Sequence, residues 1–217
     1  MPRIRGILSV ANRARRDMFM ATMTIREREP VAGHDAPQTA RELFDALPPL
    51  PGLRAEVVEG KMIVSPMGSP EHGWIAADLH DALLPLRREH GWRGSVGSVN
   101  VCIEGPRDSC APDYTLAAPD CPRWGQSELL SSGVLMVVEV VSPGSAHLDR
   151  HEKPRVYATG RVPVYLLIDP IGDEPGVTVF SRPADGAYAT TTRVTMGSPI
   201  TLPAPVAFEL DTSIFKA

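Results

Sequence analysis

The chain has 217 residues, enough for one domain with a real core, and its 43% hydrophobic and 22% charged content is ordinary for a globular protein. A formal charge of −4 gives no bulk support to nucleic-acid binding and mildly opposes it, unless carboxylates hold divalent cations that reverse the local sign. No stretch approaches about 18 uninterrupted apolar residues, so no membrane span is expected, and Cys102, Cys110 and Cys121 form no CxxC pair and read as reduced thiols of a cytoplasmic protein.

Residues 1–37 differ in character from the rest. Arg3, Arg5, Arg13, Arg15 and Arg16 stand among small apolar residues with no core adequate for secretion, so a disordered or mis-started basic leader is expected, then a linker over 28–37. The folded domain is expected over 38–217. Leu43, Phe44 and Leu47 fall at helical spacing in a short amphipathic helix over 39–47. A hairpin follows, with strands at 54–58 and 61–64 turning at Glu59-Gly60, and with Glu56 and Val58 on one face. Ser69-Pro70 starts a helix that runs to about His90, buries Ile75, Leu79, Ala82, Leu83 and Leu86, and is interrupted at Pro85.

Strands near 93–95 and 98–103, a loop over 104–111 and a strand entered through Pro112-Asp113 come next. A polar loop over 119–133 leads to the central unit, strand–turn–helix–strand over 134–170. Its first strand, Val134 to Val141, is apolar and β-branched except for Glu139, a carboxylate that must be paired, hydrogen-bonded or metal-bound in such a setting. Asp149 with Glu152 three residues on reads as a helix start, Pro154 delays the regular helix, and Gly160 stops it. The next strand, 163–168, lies parallel to the first across a right-handed crossover, with active groups expected near the strand carboxyl ends. A β-meander over 177–202 and a tucked-in Phe208 and Leu210 close the chain.

Asp113, Glu139 and Lys153 form the informative constellation. Two carboxylates on neighbouring strands suit a hard divalent cation such as Mg²⁺, with Mn²⁺ as the alternative, and the cation activates water and neutralises charge on a phosphate. A lysine beside them orients the nucleophile or stabilises charge in the transition state. Glu56 is positioned to add a further carboxylate. The bland alternatives are a turn residue for Asp113, a salt bridge for Glu139, a surface pair with Asp149 for Lys153 and a solvent-facing hairpin residue for Glu56. Tyr157 and Tyr165 read as packing residues. His147 and His151 have a zinc-like spacing, but an Asp149 cap would leave His147 outside the helix.

Glu56-Val57-Val58-Glu59-Gly60-Lys61, Ser69-Pro70-Glu71-His72, Pro112-Asp113, Glu139-Val140-Val141-Ser142-Pro143, Asp149 to Lys153, Tyr157 and Val164 to Pro170, in this order, resemble the Uma-two-type putative restriction endonuclease family of the PD-(D/E)XK nuclease superfamily. The resemblance covers roughly 39–215. It implies an α/β fold with a restriction-endonuclease-like core, a mixed central β-sheet flanked by helices, and it casts Asp113 and Glu139 as the acidic metal ligands. The superfamily's lysine two residues after the glutamate is replaced by Val141, and the resemblance assigns its role to Lys153. At Glu59 the family more often has aspartate. The expected activity is Mg²⁺-dependent hydrolysis of DNA phosphodiesters, in a chain that suits a homodimer. The alternative is a catalytically silent binding module that keeps the nuclease fold.

Overall fold

The computed structural model of the chain describes residues 21–23 and 36–216. The leader and linker expected over 1–37 therefore lie outside the described residues, apart from residues 36–37 and strand β1 (Ala21–Met23). Helix α1 (Ala40–Asp45) is fixed by a reciprocal capping box, in which Thr39 accepts from the Glu42 N–H and Glu42 reaches back to the Thr39 N–H. The hairpin of β2 (Leu53–Val58) and β3 (Lys61–Pro66) turns at Glu59 and Gly60, both at positive φ, which matches the twist of the flanking strands. The Asp108 carboxylate accepts from both turn N–H groups, at 2.9 and 3.1 Å. β1 pairs with the outer side of β3.

The expected long helix is two helices, α2 (Pro70–Ala82) and α3 (Leu84–His90), separated at Leu83. Pro85 lacks the N–H needed to continue the ladder and sits in the first turn of α3 instead, where none is required. Strands β4 (Arg93–Val96), β5 (Asn100–Cys102), β6 (Ser109–Cys110), β7 (Tyr114–Ala117), β8 (Arg123–Trp124) and β9 (Glu128–Leu130) follow. Three of them correct the expected loops: β6 lies in 104–111, and β8 and β9 lie in 119–133. Each has two or three residues, too short to show a period of two.

The central unit has the expected order: β10 (Val134–Val140), a helical segment ending in α4 (Lys153–Thr159), and β11 (Val164–Asp169) parallel to β10. The start of the helix needs correction. The helical path begins at Ala146, Leu148–Glu152 form a π turn, and Asp149 is a buried residue inside it and not a cap. His147 accordingly belongs to the helix. Pro154 has no N–H, and its ring crowds the carbonyl four residues back; the wider turn, closed by Lys153 N–H to Leu148 C=O, accommodates it. β12 (Gly176–Ala184) and β13 (Ala187–Thr195) extend the sheet as antiparallel strands. β14 (Pro199–Leu202) leaves the meander and pairs with β15 (Phe208–Asp211).

The main sheet has the order β13-β12-β11-β10-β7-β4, and a second sheet has the order β1-β3-β2-β6-β5-β9-β8. Alternation along β10 sorts its side chains. Met136, Val138 and Val140 pack with Ala76 and Leu79 of α2 and with Leu83 just after it, together with Leu202 and Leu210 from the last strands. Val137 faces the other way, with Val156 and Tyr157 of α4 and with Val58 and Ile63 of the second sheet. Glu139 is on this second face, where α4 and the two sheets meet.

Candidate active site

Near its carboxyl end β10 presents Glu139 to α4, and Lys153, in the first turn of α4, reaches back to it. Both side chains are 1% exposed. Lys153 Nζ lies 2.8 Å from Glu139 Oε1, 3.2 Å from Glu56 Oε1 and 3.2 Å from Asp149 Oδ1. Glu56 comes from β2 of the second sheet and also accepts from the Ala111 N–H at 2.8 Å. Asp113 stands just before β7 and accepts from the Val140 N–H at 2.8 Å, which locks it to the end of β10. Arg54 Nη1, one residue pair before Glu56 on β2, donates to Asp113 Oδ1 at 3.2 Å and to the Ala111 carbonyl at 2.8 Å. Tyr157 donates its hydroxyl to Glu139 Oε1 at 2.6 Å.

Asp113, Glu139, Lys153 and Glu56, the four residues singled out from the sequence, thus converge on one place. Asp149 does pair with Lys153, but inside the protein and not across a helix surface. Sequence reasoning missed Arg54, which carried no signal beyond its place in a strand. Tyr157, read as packing, is packed against Tyr165 with ring centres 5.2 Å apart, but its hydroxyl belongs to the site. His72 and Ser145 line a small cleft of about 30 Å³, room for about a water molecule, that opens onto Glu56 and Lys153.

Burial dominates the electrostatics. It would lower the Lys153 ammonium, but Glu139, Glu56 and Asp149 together hold it well above the ordinary lysine range, so it stays charged. Glu56 is also penalised by burial, yet Lys153 and Arg54 outweigh this and keep it below its usual value. For Glu139 burial wins: with Asp149, Asp113 and Glu56 adding repulsion, Lys153 offsets only part, and the carboxyl is pushed up to about 8. Burial raises Asp149 likewise.

This imbalance bears on metal binding. Four carboxylates (Glu56, Asp113, Glu139, Asp149) face two cations (Lys153, Arg54) in a largely buried cluster, so the carboxylates outnumber their counterions. Asp149 Oδ1, although 3.2 Å from Lys153, has no hydrogen-bond partner. Among the described residues no three His, Cys, Asp or Glu side chains are grouped to hold a metal ion; an ammonium stands between the carboxylates instead. An all-oxygen donor set with more carboxylates than counterions nevertheless suits a hard divalent cation, which needs only one or two carboxylates and keeps its waters.

A mixed sheet between helices, with a carboxylate–lysine centre at the end of the strand that enters a β-α-β crossover, defines a restriction-endonuclease-like fold. The chain belongs to the Uma2 family, described as "Putative restriction endonuclease", which matches residues 41–213. A crystal structure of a "putative nuclease belonging to DUF820" from Anabaena variabilis ATCC 29413 is similar in fold, with a TM-score of 0.62 and 20% identity over 82% of this chain and 97% of that one. No curated protein matches the chain.

Proposed function

We propose that the protein is a divalent-metal-dependent endonuclease that hydrolyses DNA phosphodiester bonds. The observation that carries this is the convergence of Asp113, Glu139, Lys153 and Glu56 from four separate elements at the end of β10. Membership of a family described as putative restriction endonucleases, and a structural neighbour described as a putative nuclease, support the reaction class. Asp113 and Glu139 would hold the cation, Mg²⁺ or Mn²⁺, which when bound supplies an activated water and neutralises charge on the phosphate. Lys153, kept charged by its carboxylates, positions the attacking water or stabilises charge developing on a phosphate oxygen. Glu56 holds Lys153 in place, and Arg54 orients Asp113. A homodimer would pair two such sites for a double-strand cut. The proposed compartment is the cytoplasm, in keeping with three free cysteines. Among the described residues no helix is long and apolar enough to cross a membrane.

The test is cleavage of supercoiled plasmid in Mg²⁺, Mn²⁺ and EDTA by the wild type and by Asp113→Ala. Metal-dependent nicking is expected from the wild type, with a loss of about 100-fold or more in the variant. Cleavage that survives in Asp113→Ala sinks the proposal. The second reading, a silent DNA-binding module, is favoured by the ammonium that already occupies the space between the carboxylates and by the buried Val141 at the superfamily's lysine position. It predicts a salt-sensitive DNA affinity unaffected by metal or by Asp113.

A further inference from the structure

Tyr157 and Lys153 are four residues apart and so share one face of α4. Both reach the same atom: Glu139 Oε1 lies 2.6 Å from the Tyr157 hydroxyl and 2.8 Å from Lys153 Nζ. The terminal torsion of a glutamate is broad when free, and two donors converging on one oxygen remove that freedom. The ring of Tyr157 is packed by Tyr165 and the surrounding apolar side chains, a role phenylalanine would fill equally well. Two other tyrosines spend their hydroxyls on backbone carbonyls, the buried Tyr165 on Asp149 and the half-buried Tyr188 on Val162. The Tyr157 hydroxyl alone among these three is spent on a site carboxylate.

We infer that Tyr157 is a positioning residue for Glu139: it fixes the carboxylate through Oε1 so that Oε2 is the oxygen offered to a divalent cation. This rests on the metal-site reading above. The competing explanation, a core tyrosine that merely satisfies the nearest acceptor, makes Tyr157 a contributor to stability and to nothing else.

The two are separated by calorimetric titration of Mn²⁺ into the wild type, Tyr157→Phe and Tyr188→Phe, each alone and with a short uncleavable DNA duplex, beside thermal unfolding in EDTA. Tyr188→Phe loses a hydroxyl hydrogen bond at a distance from the cluster and serves as the stability control. A partner that orients a metal ligand is worth about 10- to 100-fold in affinity, so Mn²⁺ binding is expected to weaken about ten-fold or more in Tyr157→Phe and to stay unchanged in Tyr188→Phe. Unaltered Mn²⁺ affinity in Tyr157→Phe overturns the inference and leaves the metal site standing. A wild type that takes up Mn²⁺ in neither titration overturns both. Should Tyr157→Phe not fold, 3-fluorotyrosine placed at position 157 decides, because it keeps the ring and the hydroxyl and changes the strength of the hydrogen bond: Mn²⁺ affinity is expected to shift several-fold, and an unaltered affinity overturns the inference.

Discussion

Lys153 is 1% exposed and within 3.2 Å of three carboxylates, so its removal leaves charges buried without a counterion. Breaking one side of a buried charge cluster costs about 3–5 kcal/mol, and Lys153→Met is expected to lose that much in urea unfolding without metal, with part restored by Mn²⁺. Glu139 has the opposite sign. Its carboxyl, ordinarily near 4.5, is pushed up to about 8 in the folded protein, chiefly by burial. Between those values the folded state holds a proton that the unfolded chain releases, so metal-free stability falls as pH rises from about 4.5 towards 8. Glu139→Gln, neutral at every pH, is expected to remove this slope and to melt above the wild type at pH 8 in EDTA while losing metal binding. An equal pH dependence of melting in wild type and variant would refute the assignment. Charged and carboxylate residues at strand ends were legible in the sequence because burial makes such residues costly and therefore conspicuous. Arg54 and Tyr157 were not, because their partners, Asp113 and Glu139, are reached only through the folded chain. Asp149 misled because Asp-x-x-Glu before an amphipathic run also describes a helix cap.

At the level of elements, long periodic segments were readable and short ones were not. The β2–β3 hairpin, α1, α2, β10 and β11 follow from spacing, caps and turn residues. β6, β8 and β9 owe their existence to neighbouring strands and leave no pattern of their own. The π turn was half visible: Pro154 signalled a late regular helix, and the structure shows that the chain widens before it. On the opposite face α2 and α3 pack on β4 with little room. A Cβ at Gly94 would lie 2.4 Å from the Tyr114 hydroxyl and 3.0 Å from both His80 Nδ1 and Arg87 Cδ. Gly94→Ala is expected to destabilise the protein by about 1–3 kcal/mol through overpacking, measured in urea, with metal affinity unchanged. No loss of stability would mean that α3 yields easily.

Over the whole molecule the formal charge is −4, a total that includes the excess of carboxylates at the centre, so a polyanion has little reason to approach until that charge is met. Ca²⁺ supplies the missing charge at an all-oxygen site, and it is expected to tighten binding of an uncleavable DNA duplex about ten-fold or more over EDTA in a filter or fluorescence assay. Equal affinity in both would favour the silent module. The centre also straddles two sheets: Glu56 and Arg54 come from one, Glu139 and Asp113 from the other, and the backbone at Ala111 joins them by giving its N–H to Glu56 and its carbonyl to Arg54. Neither sheet carries the set by itself. The centre exists only where the two sheets are docked, so in a urea titration the Mn²⁺-binding signal is expected to be lost no later than the far-ultraviolet dichroism.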